Sequence, residues 1–346
     1  MSKPYSPPFS ITPAVVSLVA RISEAVGRLS ALTAEAKALR LRRSNRIRTI
    51  QGTLAIEGNT LTQEQITAIL EGRRVIAPPR EIQEVRNAIQ AYDRFANWQP
   101  WREADLLNGH AILMNGLLDA PGKYRSGGVG IMAGKEVIHL APPAGRVRPL
   151  MRDLLRWLKS THDHPLIAGS VFHYEFEFIH PFADGNGRLG RLWQTLILSR
   201  WNPLFADIPV ESLVHEHQQD YYAALNTSSQ RADSAPFIEF MLTMIEGAVS
   251  ASQAPQVTPQ VTPQVTPQVA RLLAALVGEM SRDELQNALG LQDRKSFRSR
   301  YLAPALVEGL IDMTTPGKPN SRLQKYRLTA AGLAWVEVGK QLVDNN

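Results

Sequence analysis

Cysteine is absent from the 346 residues. Disulfides, thiolate zinc sites and a cysteine nucleophile are therefore excluded, and any metal must rest on oxygen or imidazole. Long apolar runs are missing too: nothing approaches the roughly 18 uninterrupted apolar residues of a membrane helix. Residues 1–20 are Pro-rich and polar, with no basic region ahead of an apolar stretch. The expectation is a globular, cytoplasmic chain with no membrane partner. A large charge of one sign is also lacking. The 38 basic and 32 acidic residues leave +6, which permits contact with nucleic acid or phosphorylated ligands without demanding it. At 44% apolar residues, the chain can build one large domain and a smaller one, or two to three small ones.

Helical spacing dominates what is there. Val15, Leu18, Val19, Ile22, Val26, Leu29 and Leu32 recur every three or four residues, which predicts a helix over 14–48. Five arginines between Leu39 and Arg48 could meet phosphate, but read better as a solvated helix face. After a break at Gly58-Asn59, Thr62-Gln63-Glu64-Gln65 resembles a capping box with Leu61 and Ile66 as its hydrophobic staple, so a helix should start near Gln63. Helical spacing returns at 147–160, 188–201 and 236–250. Between Pro121 and Pro149 the pattern changes: Val129, Ile131, Val137 and Ile138 flank Ala133-Gly134-Lys135 as in a short β-hairpin.

Residues 256–267 are three copies of Gln-Val-Thr-Pro, where a Pro every fourth residue removes helix donors and favours an extended spacer. Beyond it, helices are expected near 268–279, from Ser281, and over about 293–309, followed by a Pro/Gly-rich turn and an extended basic stretch, Arg322 to Leu328. Three helices and a hairpin read as a winged helix-turn-helix. From Arg282 to Arg327, nine basic residues stand against five acidic ones, with Arg294, Lys295, Arg298 and Arg300 on the third helix. Such a face suits duplex DNA, and protein docking is the alternative.

Chemistry concentrates in His180-Pro181-Phe182-Ala183-Asp184-Gly185-Asn186-Gly187-Arg188-Leu189-Gly190-Arg191. Gly185 and Gly187 allow a backbone turn that aims N–H groups at an anion, and the helix beginning near Arg188 adds its positive end. Arg188 and Arg191 lie on one helix face and can grip phosphate oxygens. Asp184 suits magnesium, which takes one or two carboxylates beside phosphate and water, and His180 can accept a proton near neutral pH. Each residue has a plainer alternative: a core histidine, an Asx-turn aspartate, an ion-paired arginine. A hydrolytic His/Asp metal site is the chemical rival, although His162, His164 and His173 offer it no clear ligand spacing.

Position for position, this segment resembles the HPFx(D/E)GNGRxxR signature of the Fic family, and the resemblance extends over roughly residues 45–240. It implies a mostly α fold: a Fic-type helical core with a short β-hairpin flap, followed here by the winged helix. It implies transfer of AMP from ATP, with Mg2+, to a Ser, Thr or Tyr hydroxyl of a target protein. By resemblance His180 is the general base and Asp184 the metal ligand. Gly185, Asn186 and Gly187 form the anion hole, Arg188 and Arg191 hold the triphosphate, and the hairpin at 129–139 is the flap that pins the target by strand addition. Tyr221-Tyr222 resembles a pair near the adenine pocket, which brings Tyr222 into the nucleotide site; core packing is the alternative. Thr53 to Gly58 resembles the family's inhibitory pattern (S/T)xxxE(G/N), in which Glu57 would pair with Arg191 and keep the γ-phosphate from seating. The implied organisation is an N-terminal helical region with the inhibitory helix (1–110), a Fic core (111–250), a linker (251–267) and a winged helix domain (268–346). Removal of AMP from a modified protein, and a nucleotide-sensing DNA-binding regulator, remain alternatives. Assembly into a homo-oligomer stays open.

Overall fold

The computed structural model describes residues 5–32, 35–128, 130–133, 136–253, 266–291, 293–315, 324–329, 332–333 and 335–336. The chain divides into two compact units, Met1–Pro255 and Gln256–Asn346.

In the first unit the stripe predicted over 14–48 is carried by two helices, α1 (Pro13–Leu32) and α2 (Glu35–Ala55). Val15, Leu18, Ile22 and Val26 are buried where α1 packs along α11 (Ala235–Gln253). Helix α2 lies across α9 (Val210–Glu216) at very close range: a Cβ on Gly52 would come within 2.7 Å of the Glu211 backbone. Only glycine permits that crossing. After Ala55 the chain turns, with Gly58 at φ 88° and the Asn59 N–H bonded to Leu54 O at 3.1 Å. Helix α3 (Gln63–Leu70) then starts as the sequence predicts. The Thr62 hydroxyl accepts from the Gln65 N–H, the Gln65 side chain accepts from the Thr62 N–H, and Leu61 and Ile66 are both buried.

Helices α4 (Pro79–Arg94) and α5 (Glu103–Leu113) follow, then the hairpin of β1 (Gly130–Ala133) and β2 (Glu136–Leu140), and α6 (Ala144–Ser160). The hairpin pairs antiparallel, Gly130 opposite Leu140 and Ala133 opposite Glu136, with a register irregularity between Ile131 and Met132. At the centre α7 (Pro165–Ile179) packs against α8 (Asn186–Trp201). Every residue from Leu166 to Glu177 is buried, as expected of a helix enclosed on all sides. Its polar residues must then find partners inside: Glu175 accepts from the Tyr5 hydroxyl at 2.8 Å, and His173 bonds Gln194 at 2.6 Å. Helix α10 (Gln218–Arg231) joins α9 to α11.

The repeats of the second unit lie largely outside the described residues. Thr266 and Pro267 of the last copy open α12 (Pro267–Ala275), where the Thr266 hydroxyl accepts from the Val269 N–H. This helix stops four residues before the expected 279, because Leu276 is extended and Gly278 adopts φ 62°. Then come β3 (Met280–Ser281) and α13 (Arg282–Ala288), capped by a Ser281/Glu284 box. The expected third helix is built from α14 (Arg294–Phe297), a π turn over Arg298–Leu302, and α15 (Ala303–Val307). Pro304 accounts for the wide turn, since its ring would strike the carbonyl four residues back in a regular helix. Strands β4 (Ile311–Met313) and β5 (Lys325–Leu328) complete an antiparallel sheet in the order β3-β5-β4. Leu272, Leu285, Phe297, Leu302 and Tyr326 form its own apolar core. Residues 316–323, the tip of the expected wing, lie outside the described residues. No described helix is long and apolar enough to cross a membrane.

Because the α2–α9 crossing admits no side chain, Gly52→Ala should destabilise the first unit by about 1–3 kcal/mol through forced backbone displacement. Urea unfolding followed by tryptophan fluorescence checks this; an unchanged midpoint would show that the crossing has slack.

Candidate active site

His180 is the residue at which α7 ends. It sits in the left-handed region at φ 48°, its N–H bonded to Phe176 O at 2.9 Å, a conformation that costs a non-glycine residue about 1–2 kcal/mol. Arg125 holds the chain there. Its buried guanidinium donates to His180 O (2.7 Å), Ile179 O (3.2 Å), Pro142 O (2.5 Å) and Gly127 O (2.8 Å), while its own N–H bonds Pro181 O at 3.0 Å. A cation at the carbonyl end of α7 complements the helix dipole, and the same side chain ties that end to both flanks of the β1–β2 hairpin. Nothing in the sequence marked Arg125, because its partners are all backbone oxygens. The His180 side chain is 17% exposed.

The turn after His180 is locked from inside. Phe182 is fully buried and stacks on His110, ring centroids 3.7 Å apart and planes 6° apart. His110 Nδ1 accepts from the Gly122 N–H at 2.8 Å, so Nε2 carries the proton and donates to Asp184 O at 2.9 Å. Burial pushes the pKa of His110 down to about 4, as it does for His173. Asn186 is a latch: Oδ1 accepts from the Phe182 N–H and Nδ2 donates to Phe182 O, each at 2.9 Å. Both ends of its side chain are thus committed to the loop, and what Asn186 can offer an anion is its backbone N–H. Gly185 stands at φ 82°, and a Cβ there would lie 2.5 Å from Met114 Sδ. The N–H groups of the first turn of α8 have no acceptor within the helix and form the anion-binding end expected of a helix N-terminus.

Both arginines of the segment are buried and already engaged. Arg188 bonds Asp184 Oδ1 at 3.0 Å and Glu84 Oε1 at 3.3 Å. Asp184 is 40% exposed, and its other oxygen faces Arg80 at 3.4 Å. Glu84 in turn accepts from Asn59 Nδ2 at 2.9 Å, which links the turn after α2 to the Asp184 loop through α4. Among the described residues no group of three or more His, Asp or Glu could hold a metal by itself. Magnesium needs less: one or two carboxylates beside phosphate oxygens and water. A single, partly open Asp184 carboxylate next to the helix N-terminus fits that requirement.

Arg191 makes the most enclosed contact. Nε donates to Thr53 Oγ1 at 2.9 Å, and Nη2 donates to Thr53 O at 3.0 Å and Glu57 Oε1 at 2.6 Å. Burial opposes the charge of Arg191, but the Glu57 carboxylate outweighs it and raises the guanidinium above its ordinary value. Glu57 also lies over the first turn of α8, where a Cβ on Gly187 would collide with its Oε1. The carboxylate therefore occupies ground at the anion-binding end of that helix.

His180, Asp184, Gly185, Asn186, Gly187, Arg188, Arg191 and Glu57 thus converge. Tyr222 is half-buried, whereas Tyr221 is wholly buried, with its hydroxyl 3.2 Å from His173 Nε2; Tyr221 is core. His173 and His164 serve packing and capping, His164 accepting from the Leu166 N–H and meeting Trp201 edge-on. Of the arginines in 39–48, Arg42, Arg43 and Arg46 pair with Asp207, Glu71 and Asp93, in keeping with a solvated face. Sequence reasoning passed over Arg125, His110, Glu84 and Glu177. Only Glu177, three residues before His180 on the same helix, left a trace in spacing.

Residues 100–198 match the Fic/DOC family, and residues 267–329 match the Fic-like C-terminal domain of filamentation induced by cAMP proteins. The crystal structure of a Fic family protein from Desulfovibrio desulfuricans G20 is 53% identical, superposes with a TM-score of 0.71, and covers 94% of this chain and 99% of that one. This chain belongs to the Fic family. Two curated relatives carry a more particular description. The protein adenylyltransferase Fic of Drosophila melanogaster is 29% identical over 214 residues, 57% of this chain and 40% of that protein. The protein adenylyltransferase fic-1 of Caenorhabditis briggsae is 30% identical over 212 residues, 57% of this chain and 39% of that protein. The chain thus matches only about two fifths of the length of these relatives.

The buried neutral histidines impose a pH dependence. With His110 and His173 lowered from 6.5 to about 4, the unfolded chain binds protons that the folded one refuses between those values, so stability is full above about pH 6.5 and falls as pH drops toward 4. His110→Gln should flatten that slope by about one proton's worth. Urea midpoints at pH 7, 5.5 and 4.5 measure it, and an equal slope in both proteins would disprove a neutral His110.

Proposed function

We propose that the chain is a magnesium-dependent protein adenylyltransferase that restrains itself through Glu57. The target hydroxyl oxygen attacks the α-phosphorus of ATP, the bond from that phosphorus to the bridging oxygen of the β-phosphate breaks, and pyrophosphate leaves. The hydroxyl proton passes to the His180 imidazole. The first-turn N–H groups of α8, at Asn186, Gly187 and Arg188, receive phosphate oxygens, and Arg188 and Arg191 neutralise them. Asp184 would hold magnesium, which on binding neutralises charge on the phosphates. Tyr222 would border the adenine, and the hairpin would pair with an extended segment of the target protein beside a Ser, Thr or Tyr.

The observation that carries the reading is the position of Glu57: a carboxylate on Arg191 and over Gly187, at the place the residues around it prepare for a phosphate. For ATP to seat productively, that pair has to open. Deleting one partner of a buried pair is worth about 3–5 kcal/mol, so Glu57→Gly should raise AMP incorporation, including into the protein itself, by at least about 10-fold. Arg191→Ala should not mimic it, and the double variant should be as slow as Arg191→Ala alone. Incorporation of label from α-labelled ATP tests all four proteins; a Glu57→Gly protein no faster than wild type removes the regulatory claim. The same carboxylate could orient a water for removal of AMP, a reading favoured if Glu57→Gly abolishes release of AMP from a modified target. In the Glu57→Gly background, His180→Ala should cost about 100-fold or more in transfer while ATP affinity is kept.

For the second unit the proposed role is docking as a winged helix, with duplex DNA the first candidate, because Arg298 and Arg300 are exposed on the wide turn of the third helix. A fragment beginning at Thr266 should bind duplex DNA weakly, and more weakly as salt rises. Fluorescence titration at two salt concentrations checks it, and absence of binding at low salt points to a protein partner.

A further inference from the structure

Glu177 is a buried acid with no part in the mechanism so far. Its Oε2 lies 3.6 Å from His180 Nδ1, and the two side chains are 6% and 17% exposed. His180 Nδ1 and Glu177 Oε1 are both buried atoms without a hydrogen-bond partner, and such atoms in a folded interior are ordinarily satisfied. Glu177 is one turn before His180, and the left-handed backbone at His180 leaves the imidazole beside it. Gly190 makes room: a Cβ there would be 3.1 Å from Glu177 Oε1. Burial pushes the Glu177 carboxyl up, but the nearby His180 and Arg191 outweigh it and hold the group below the usual carboxylate range. The groups around the pair include His173 on α7, Arg191 on α8, the buried Tyr221 hydroxyl on α10, and Arg125, which grips the His180 carbonyl.

We propose that Glu177 is a positioning residue for the transfer reaction: its carboxylate draws the His180 proton to Nδ1 and leaves Nε2 as the nitrogen that takes the proton of the target hydroxyl. The inference rests on His180 being the base. In the step, Nε2 gains the hydroxyl proton as the oxygen–phosphorus bond forms and pyrophosphate leaves. The resulting imidazolium keeps its Nδ1–H toward Glu177, and no proton moves to the carboxylate.

The test uses the full chain in the Glu57→Gly background with Glu177→Gln and Glu177→Met. Nitrogen-15 spectra of labelled histidine, with His180 assigned by its loss in His180→Ala, report which ring nitrogen is protonated. The expected result is an Nδ1–H tautomer with Glu177, weakened by Gln and lost with Met. In Glu177→Met kcat falls at least about 10-fold while KM for ATP changes less than about 2-fold; Gln, whose amide oxygen still accepts, recovers part of the rate. An unmoved tautomer, or an unmoved kcat, in a folded Glu177→Gln protein overturns the proposal. Should His180→Ala still transfer AMP at the parent rate, it is the base assignment that fails, and the nitrogen spectra still decide whether Glu177 orients the ring.

Discussion

A buried guanidinium that cannot be left alone organises this site. Arg191 is enclosed between α2 and α8, and a charge so far from water must have an anion or several acceptors around it. Thr53 supplies two acceptors from α2 and Glu57 supplies the anion. Whatever displaces Glu57 must bring equivalent negative charge, which a nucleotide's phosphates would do. The requirement that keeps the pair closed would thus also prepare Arg191 for a phosphate, and under the proposed function a single residue would serve restraint and binding.

The placement of Glu57 depends on elements distant in sequence. Gly52 lets α2 settle against α9, Gly58 bends the chain after Ala55, and Asn59 continues the contact by donating to Glu84 of α4. Glu84 also holds Arg188, which holds Asp184. The turn that carries Glu57 and the carboxylate suited to magnesium are consequently joined through one ion-paired helix. Opening of the Glu57 turn would be felt at Asp184 through two side chains, a shorter route than any through the backbone.

Around His180 the rigidity comes from polar groups that never face the solvent. Arg125 fastens the end of α7, Asn186 clamps Phe182, and neutral His110 stacks on that ring and holds the Asp184 carbonyl. A loop bound this way needs little reorganisation when a ligand arrives, which is how preorganised sites stabilise developing charge.

The local sequence determined a good deal by itself. The helical stripes, the Thr62 and Ser281 capping boxes, the hairpin between Pro121 and Pro149, and the cradle from Asp184 to Arg191 depend on residues within a few positions of one another, so spacing and residue type were enough to read them. The partner of Arg191 was also legible, but only because Thr53 to Gly58 resembles a known pattern. The rest was decided by tertiary structure. Arg125 bonds four carbonyls from three different stretches, His110 meets Phe182 across 72 positions, and Glu84 meets Arg188 across 104. A backbone oxygen has no residue signature, and a long-range ion pair has no period, so neither leaves a mark in the order of residues. They exist because burying α7 and α8 on all sides removes water from every polar group nearby, and each such group must then take the nearest partner the packed chain provides.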